Sequence, residues 1–519
     1  MFGRSLAQRS LTVPRPVVTT AARRLALAAL LVAACTTVLP TGTASADQGD
    51  GLRQITDGQG RTLVLRGLNT SSDAKGASGL PWIERRNVVA ERQNLGSNVV
   101  RYVLQWKNIE PSPGRYDERH LDEIARRVAW YRQQGIHVVL DMHQDIYGPY
   151  ACKGAGDGAP AWATITDGLP CTPQDPWVLT YLQPAVLRAY DHFWNNTGKH
   201  PELMQRYVAM WKHVAARFAK DPAVLGYDLM NEPFGGSKQF GSFEGPVLTP
   251  FYQRITNAIR QVDREKWVFV EPQALGVNEG FGTSLGQVRD PRVRAAAAKL
   301  LQQNAQRSGT GLTRLSDPSS RIVLAAHFYP GGVDIGGGYT GVMKALVQGE
   351  FVLWRQNMTA AAKRLNAPLW VGEIGGMDFS QPGAADFTRD WLSMADDLRV
   401  GWAYWSNDPS AKGSSETYAP LDREGTLTQV GKVMARPFPR AVAGVPTKIS
   451  AGSGTFTVTW RSSRGVSGPT EIWLPATVFP GTPKVKATDR THRWDPANRI
   501  LSVWNDQGRT THSITITRS

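Results

Sequence analysis

Between residues 62 and 405 eight short, near-continuous apolar runs alternate with longer segments that have apolar residues at helical spacing. The runs are residues 62–69, 98–103, 136–143, 224–231, 267–271, 321–327, 368–373 and 400–405. A strand that is apolar throughout is buried on both faces, as in a parallel sheet covered by helices. Helical segments are predicted at 82–95, 121–134, 190–194 with 203–218, 251–262, 292–303, 341–365 and 384–397. Eight such runs alternating with helical segments within residues 52–440 predict an α/β fold, a (β/α)8 TIM barrel with insertions. A doubly wound open sheet is the other solution, but no Gly-rich nucleotide fingerprint follows the first run.

A barrel of this kind keeps its chemistry at the C-terminal ends of its strands. Those ends are polar here: Arg101, His143, Asn231 with Glu232, His327 with Tyr329, Glu373, and Trp405. Taken singly each has an ordinary reading. A histidine alone is more often satisfied in the core, a lone tryptophan is core, and a lone arginine is half of a structural ion pair. The set as a ring is harder to explain without a function. Two of its members, Glu232 in Asn231-Glu232-Pro233 and Glu373 in Gly372-Glu373-Ile374, each end an apolar run and are followed by glycines.

Paired carboxylates suit cleavage of a glycosidic bond. One carboxyl protonates the leaving oxygen, while the other stabilises or attacks the oxocarbenium-like centre from the opposite face. Glu232 is expected to be the acid/base, its proton retained by the negative charge of Glu373. Glu373 is expected to be the nucleophile, kept ionised by Arg101 and oriented by Tyr329. Asn231 would hydrogen-bond the sugar 2-OH, and Trp405 would offer a flat face for a sugar ring.

The ordered set Arg101, His143, Asn231-Glu232-Pro233, His327-Phe328-Tyr329, Glu373 and Trp405 resembles glycoside hydrolase family 5, a group of retaining (β/α)8 enzymes. Trp106, Ile109-Glu110-Pro111 and Gly114-Arg115-Tyr116-Asp117 are similar to its loop after the second strand. Within that family the chain resembles the endoglycoceramidases, through Asp141-Met142-His143-Gln144-Asp145, Tyr147-Gly148, residues 228–235, His327-Phe328-Tyr329-Pro330-Gly331-Gly332 and Glu471-Ile472-Trp473-Leu474-Pro475. The resemblance implies a glycosphingolipid substrate, cut between oligosaccharide and ceramide, with further sugar contacts from Lys75, Asp145 and Trp177. Other family 5 substrates stay open: β-glucan, a β-glucoside, or a galactosylceramide. So does a non-catalytic carbohydrate-binding barrel, against which both glutamates argue. Insertions at 235–250 and 276–319 flank the mouth as candidate walls of a lipid groove. Phe234-Gly235-Gly236 is either a plain exit turn or the opening of that channel.

Beyond residue 440 the rhythm changes to short alternating segments at 454–460, 470–474, 500–504 and 511–516. A small antiparallel β-sandwich is predicted over 441–519. It is read as a cap with a role in substrate access; a carbohydrate-binding or membrane-approach module is the alternative.

Of the 519 residues, 41% are hydrophobic and 20% charged, which suits a globular protein. Residues 1–46 read as a secretory signal: basic up to Arg23-Arg24, then an apolar stretch, then Ala44-Ser45-Ala46. The mature catalytic domain would then span 47–440. Val32-Ala33-Ala34-Cys35 is also similar to a lipobox, which would anchor the chain through Cys35. Removing five signal arginines leaves the formal charge of +15 at +10. No dense basic run or nucleic-acid motif accompanies it, so nucleic acid is excluded as a partner; the surplus reads first as a solvated basic surface, with transient contact with an anionic membrane surface as the alternative. Cys152 and Cys171 remain, an even count that in an exported chain predicts one disulfide, worth about 3 kcal/mol. No metal, cofactor or second subunit is expected.

Overall fold

The computed structural model describes residues 51–175, 177–274, 310–330, 338–375, 377, 379–408 and 419–518. The signal expected at 1–46 with its Cys35, the helix expected at 292–303 and most of the 276–319 insertion lie outside them.

The first apolar run is not one strand. Its start, β1 (Thr62–Leu63), and its end, β2 (Arg66–Asn69), belong to different sheets. β2 opens a parallel barrel continued by β3 (Val99–Gln105), β4 (His137–His143), β5 (Val224–Asp228), β6 (Trp267–Val270), β7 (Ile322–Phe328), β8 (Leu369–Gly375) and β9 (Gly401–Trp405). β9 bonds back to β2, so the eight strands close. Helices fall where the periodicity puts them, for example Glu118–Gln133, Pro201–Phe218, Gly341–Leu365 and Ala384–Leu398. The first of these starts at Asp117, whose side chain accepts the His120 N–H. Among the described residues no helix is long and apolar enough to cross a membrane.

Side chains alternate along a strand, so residues two apart share a face. Val99, Val139, Phe269, Val323, Ala325, Trp370 and Ala403 pack together as an apolar plug inside the barrel. Two residues further along lie Arg101, Asp141, Glu271, His327 and Trp405. The same face thus turns from apolar to polar within one repeat of the pleat.

The C-terminal part is a sandwich. One sheet has the order β1, β10 (Phe438–Val442), β13 (Thr470–Trp473), β16 (Ile500–Trp504), β15 (Thr491–Asp495). The other has the order β11 (Val445–Ala451), β12 (Thr455–Arg461), β17 (Thr511–Thr517), β14 (Lys484–Ala487). The boundary expected at 440 therefore runs through a strand, β10, because Pro439 and its neighbours read as a linker while their backbone pairs with β1 and β13. Val64, between β1 and β2, packs into the sandwich core with Phe438, Trp460 and Trp473. Arg440 crosses to the barrel side and donates to the carbonyls of Gly96, Ser97 and Gly135.

Gly96 is the tightest point of that junction. Its φ is +69°, and a Cβ there would sit 2.2 Å from the Trp473 ring. Gly96→Ala is expected to lower unfolding free energy by about 2–4 kcal/mol, adding overpacking to left-handed backbone strain. Denaturant titration checks this; an unchanged midpoint would mean that the sandwich is not seated on the barrel at Gly96.

Candidate active site

Arg101 projects from β3 into the barrel with none of its side chain exposed, and four carboxylates from four different strands or strand ends surround it. Nε donates to Asp228 at 2.9 Å, and Nη1 to Glu373 Oε1 at 2.7 Å. Nη2 donates to Glu271 Oε1 at 2.7 Å and lies 2.9 Å from Asp141. Asn69 and Asn231 supply neutral acceptors at 3.1 and 3.0 Å. Asp141, Asp228 and Glu271 converge within 4.8 Å of one another, as the ligands of a metal would, and the cation they hold is this guanidinium. Removing one member of such a buried network leaves uncompensated charge, at a cost of about 3–5 kcal/mol. The network also sheds charge by binding a proton: burial, then the neighbouring Glu271, pushes Asp228 well above the ordinary carboxylate range despite Arg101. Arg101 was expected among the substrate contacts; the structure corrects this, because it lies beneath the site and reaches the substrate only through Glu373.

Glu373 sits inside β8, and a register irregularity turns it inward. Val371 pairs with Trp402 and Ile374 with Tyr404, so β8 carries one extra residue there. Gly372 faces inward, and a Cβ on it would come within 3.0 Å of His327 Nε2. Oε1 of Glu373 takes Arg101 and Oε2 takes the Tyr329 hydroxyl at 2.9 Å.

Glu232 is placed differently. β5 ends at Asp228, so Glu232 lies on the loop beyond it rather than closing the strand, with φ +40°. A side-chain-bearing residue holds such a conformation only when its surroundings impose it. Here the Glu232 N–H donates to Glu271 Oε2 at 2.8 Å, and Gln144 Nε2 donates to the Asn231 and Glu232 carbonyls at 2.8 and 2.9 Å. Oε1 of Glu232 meets His327 Nδ1 at 2.9 Å. One ligating atom each of Glu232, His327 and Glu373 lies within 4.8 Å of the other two, so the two carboxylates are close neighbours, as a retaining mechanism requires. Side-chain exposure is 16% for Glu232 and 7% for Glu373, against 0% for Arg101 and His327. The two glutamates, not the network below, face the mouth.

Burial is the largest reason that Glu232 holds its proton above the ordinary Glu range; the hydrogen bond from His327 opposes it and the charge of Glu373 adds to it. The expected contribution of Glu373 is present, and burial exceeds it. His327 and His143 are both driven toward the charged form. Burial opposes this, but Glu271 and Glu373 raise His327 well above 6.5, and Asp141 raises His143 to about 10. Both rings are buried, and each has a carboxylate at hydrogen-bond distance from its Nδ1, Asp141 for His143 and Glu232 for His327.

Around the mouth, Lys75 Nζ donates to Asp145 at 2.8 Å and stands 4.2 Å from the Trp405 ring. His143 stacks on the same ring at 5.3 Å, and Trp405 is 4% exposed. Trp405 is therefore largely covered rather than a bare stacking platform. Trp177, by contrast, is 54% exposed, on a short helix (Trp177–Leu182) whose Tyr181 hydroxyl lies 3.5 Å from Asp145. Phe234 is buried between Tyr181 and Tyr190, and Gly235 and Gly236 form a close turn after it. Of the two readings of that tripeptide, the packed exit turn is the one observed. Cys152 and Cys171 form the disulfide, with Cα atoms 5.2 Å apart. The loop they close carries Asp157, whose backbone exchanges two hydrogen bonds with that of Asp145.

Asp141, Asp228, Glu271 and Asn69 did not stand out in the sequence as site residues. The available signal was an acid or amide inside or at the end of an apolar run, which only a role in the core explains.

Against known proteins, the family description "Cellulase (glycosyl hydrolase family 5)" matches residues 56–411, and "Glycoside hydrolase family 5 C-terminal domain" matches residues 436–516. Endoglycoceramidase I of Rhodococcus hoagii is 28% identical over 479 residues, 88% of this chain and 86% of its own. The structure of endo-glycoceramidase II from Rhodococcus sp. in complex with ganglioside GM3 superposes with a TM-score of 0.80 at 39% identity, over 90% of this chain and 100% of that one. The crystal structure of an endogalactoceramidase gives 0.63 at 26% identity, over 90% and 98%.

Asp157 lies with His143 and Asp145 in a second buried cluster, and burial followed by the charge of Asp145 pushes it up to about 7. A carboxyl with a raised folded pKa binds its proton more tightly in the native state, so its contribution to stability falls as pH rises from its ordinary 3.8 toward 7. Asp157→Asn is expected to remove that decline. Melting temperature measured against pH for both proteins checks it: parallel curves between pH 4 and 7 would show that Asp157 is already ionised in the folded protein at acidic pH.

Proposed function

The chain belongs to glycosyl hydrolase family 5, and from that premise we propose that it is a retaining endo-glycosidase that hydrolyses the β-glycosidic bond joining oligosaccharide to ceramide in glycosphingolipids. The carrying observation is the Glu232–Glu373 pair, at short separation, in a chain similar along nearly its whole length to an endo-glycoceramidase seen with a ganglioside.

Each step uses a contact already described. Glu373, oriented through one oxygen by Arg101 and through the other by Tyr329, attacks the anomeric carbon. Glu232 gives its proton to the departing ceramide oxygen, which is too basic to leave as an alkoxide. The bond to ceramide breaks as the bond to Glu373 forms, leaving the glycan as an ester on the enzyme. Water then enters where ceramide left, Glu232 takes its proton, and the hydroxide equivalent releases the glycan with retained configuration. Lys75, Asp145 and Trp177, around the mouth, are assigned to the sugar; Asn231, expected at the 2-OH, is instead buried, accepting from Arg101 and donating to the Gln144 carbonyl. The elevated proton affinity of Glu232 keeps the acid loaded, so turnover falls as pH rises through its pKa.

The same reading places the enzyme outside the cell. It is supported by the signal-like residues 1–46 and by a disulfide, a bond that persists in oxidising compartments.

Fluorescent ganglioside and soluble β-glucan, offered in parallel, test the substrate. Release of intact glycan together with ceramide is expected; cleavage of glucan alone would defeat the lipid assignment. Glu232→Gln and Glu373→Gln are each expected to lower turnover by about 10²–10⁴-fold. Near-normal turnover in either variant would remove that residue from its role.

A further inference from the structure

Glu271 directly follows β6 and has 1% of its side chain exposed, so it touches no substrate. Its two oxygens serve different ends of one residue. Oε2 accepts the backbone N–H of Glu232 at 2.8 Å. Oε1 lies 3.2 Å from His327 Nε2, while the other nitrogen of that ring, Nδ1, meets Glu232 Oε1 at 2.9 Å. Glu232 is thus gripped at its amide directly and at its carboxyl through an imidazole. With carboxylates beside both nitrogens, His327 is an imidazolium that donates through Nδ1 to Glu232 and has Glu271 as the counter-charge beside Nε2. Oε1 of Glu232 is then an acceptor, and the proton that the acid delivers belongs on Oε2.

A second route leaves the same carboxylate. Oε1 of Glu271 also accepts Arg101 Nη2 at 2.7 Å, and Arg101 Nη1 holds the nucleophile Glu373 at 2.7 Å. Asp141 and Asp228 complete the charges around Glu271. On this route Glu271 would be one more counter-charge for Arg101, and its loss would disturb nucleophilic attack whatever the leaving group.

The first route is the more direct. It accounts for how Glu232, on a loop beyond its strand and with a positive φ, is held at all. We infer that Glu271 is a positioning residue for the proton donor, fixing the backbone turn of Glu232 through its amide and the orientation of its carboxyl through His327. The inference rests on Glu232 being the acid of the proposed reaction. The charge of Glu271 is also the largest influence raising His327 above its ordinary range against burial, in keeping with an imidazolium at that place.

The two routes separate by leaving group. Two glycosides of one sugar are compared, one with a long-chain alcohol and one with dinitrophenolate as the leaving group. The alcohol needs a proton to depart and dinitrophenolate does not. kcat/KM reports the glycosylation step in both cases. Glu271→Gln keeps the size of the side chain and an acceptor for the Glu232 amide, but takes the charge from His327. It is expected to lower kcat/KM about 30-fold or more on the alkyl glycoside, a part of the roughly 10²–10⁴-fold that acid catalysis supplies, and less than about 3-fold on the dinitrophenyl glycoside. Both values come from one preparation, so their ratio is independent of any misfolded fraction. Equal losses on the two substrates would assign Glu271 to the Arg101–Glu373 route or to general stability and overturn the inference, as would no loss on the alkyl glycoside. Glu232→Gln serves as the reference. If it shows no dependence on leaving group, the acid assignment itself falls and the Glu271 inference with it; if it does and Glu271→Gln does not, only the latter fails.

Discussion

One guanidinium, fully buried at the level where the barrel interior turns polar, organises this molecule. Arg101 offers five N–H donors in a fixed plane, and the strands around it bring four carboxylates and two amide oxygens to meet them. A lysine could not serve so many directions at once. The carboxylates come from β4, β5, β8 and the end of β6, so the charge that keeps Glu373 in place also ties half of the barrel together. Burying it is expensive unless every partner is present. Catalytic geometry and barrel closure therefore depend on the same interaction.

Above that layer the two catalytic carboxylates are held by different means. Glu373 is part of a strand, and its aim comes from a bulge in β8 with a glycine beside it, which gives His327 its space. Glu232 is on a loop and is aimed by hydrogen bonds from Gln144 and to Glu271. One carboxylate is fixed by pleat and register and shares its oxygens between Arg101 and Tyr329. The other is set in a mostly buried position where burial favours its neutral form. Two residues of one chemical type thus acquire opposite tasks from their surroundings.

Much of this was legible in the residues. Short apolar runs such as 138–140 and 322–326 read as strands covered on both faces, and eight of them separated by helix-period segments leave few architectures other than a closed barrel. Glu232 and Glu373 were marked by glycines and a proline after an apolar run. Less legible was Asp228, which lies inside such a run and looks like part of the Asp-Leu-Met-Asn-Glu motif. Its role follows from facing inward at the level of Asp141, its neighbour on β4. The run 62–69 reads as one strand, yet Val64 leaves the barrel for the sandwich core, because local apolarity does not say which of two cores a residue will join.

The sequence by itself determined the fold class, the disulfide partners and the pair of glutamates, because periodicity, cysteine count and residue type are local and additive properties of a chain. Tertiary structure alone decided which charges share Arg101, that Trp405 is covered while Trp177 is open, and that Glu232 is held by Glu271. Those depend on register between strands distant in sequence and on a one-residue bulge that reverses the direction of every side chain beyond it. No property of the single residues encodes that parity; it exists only once the eight strands have closed.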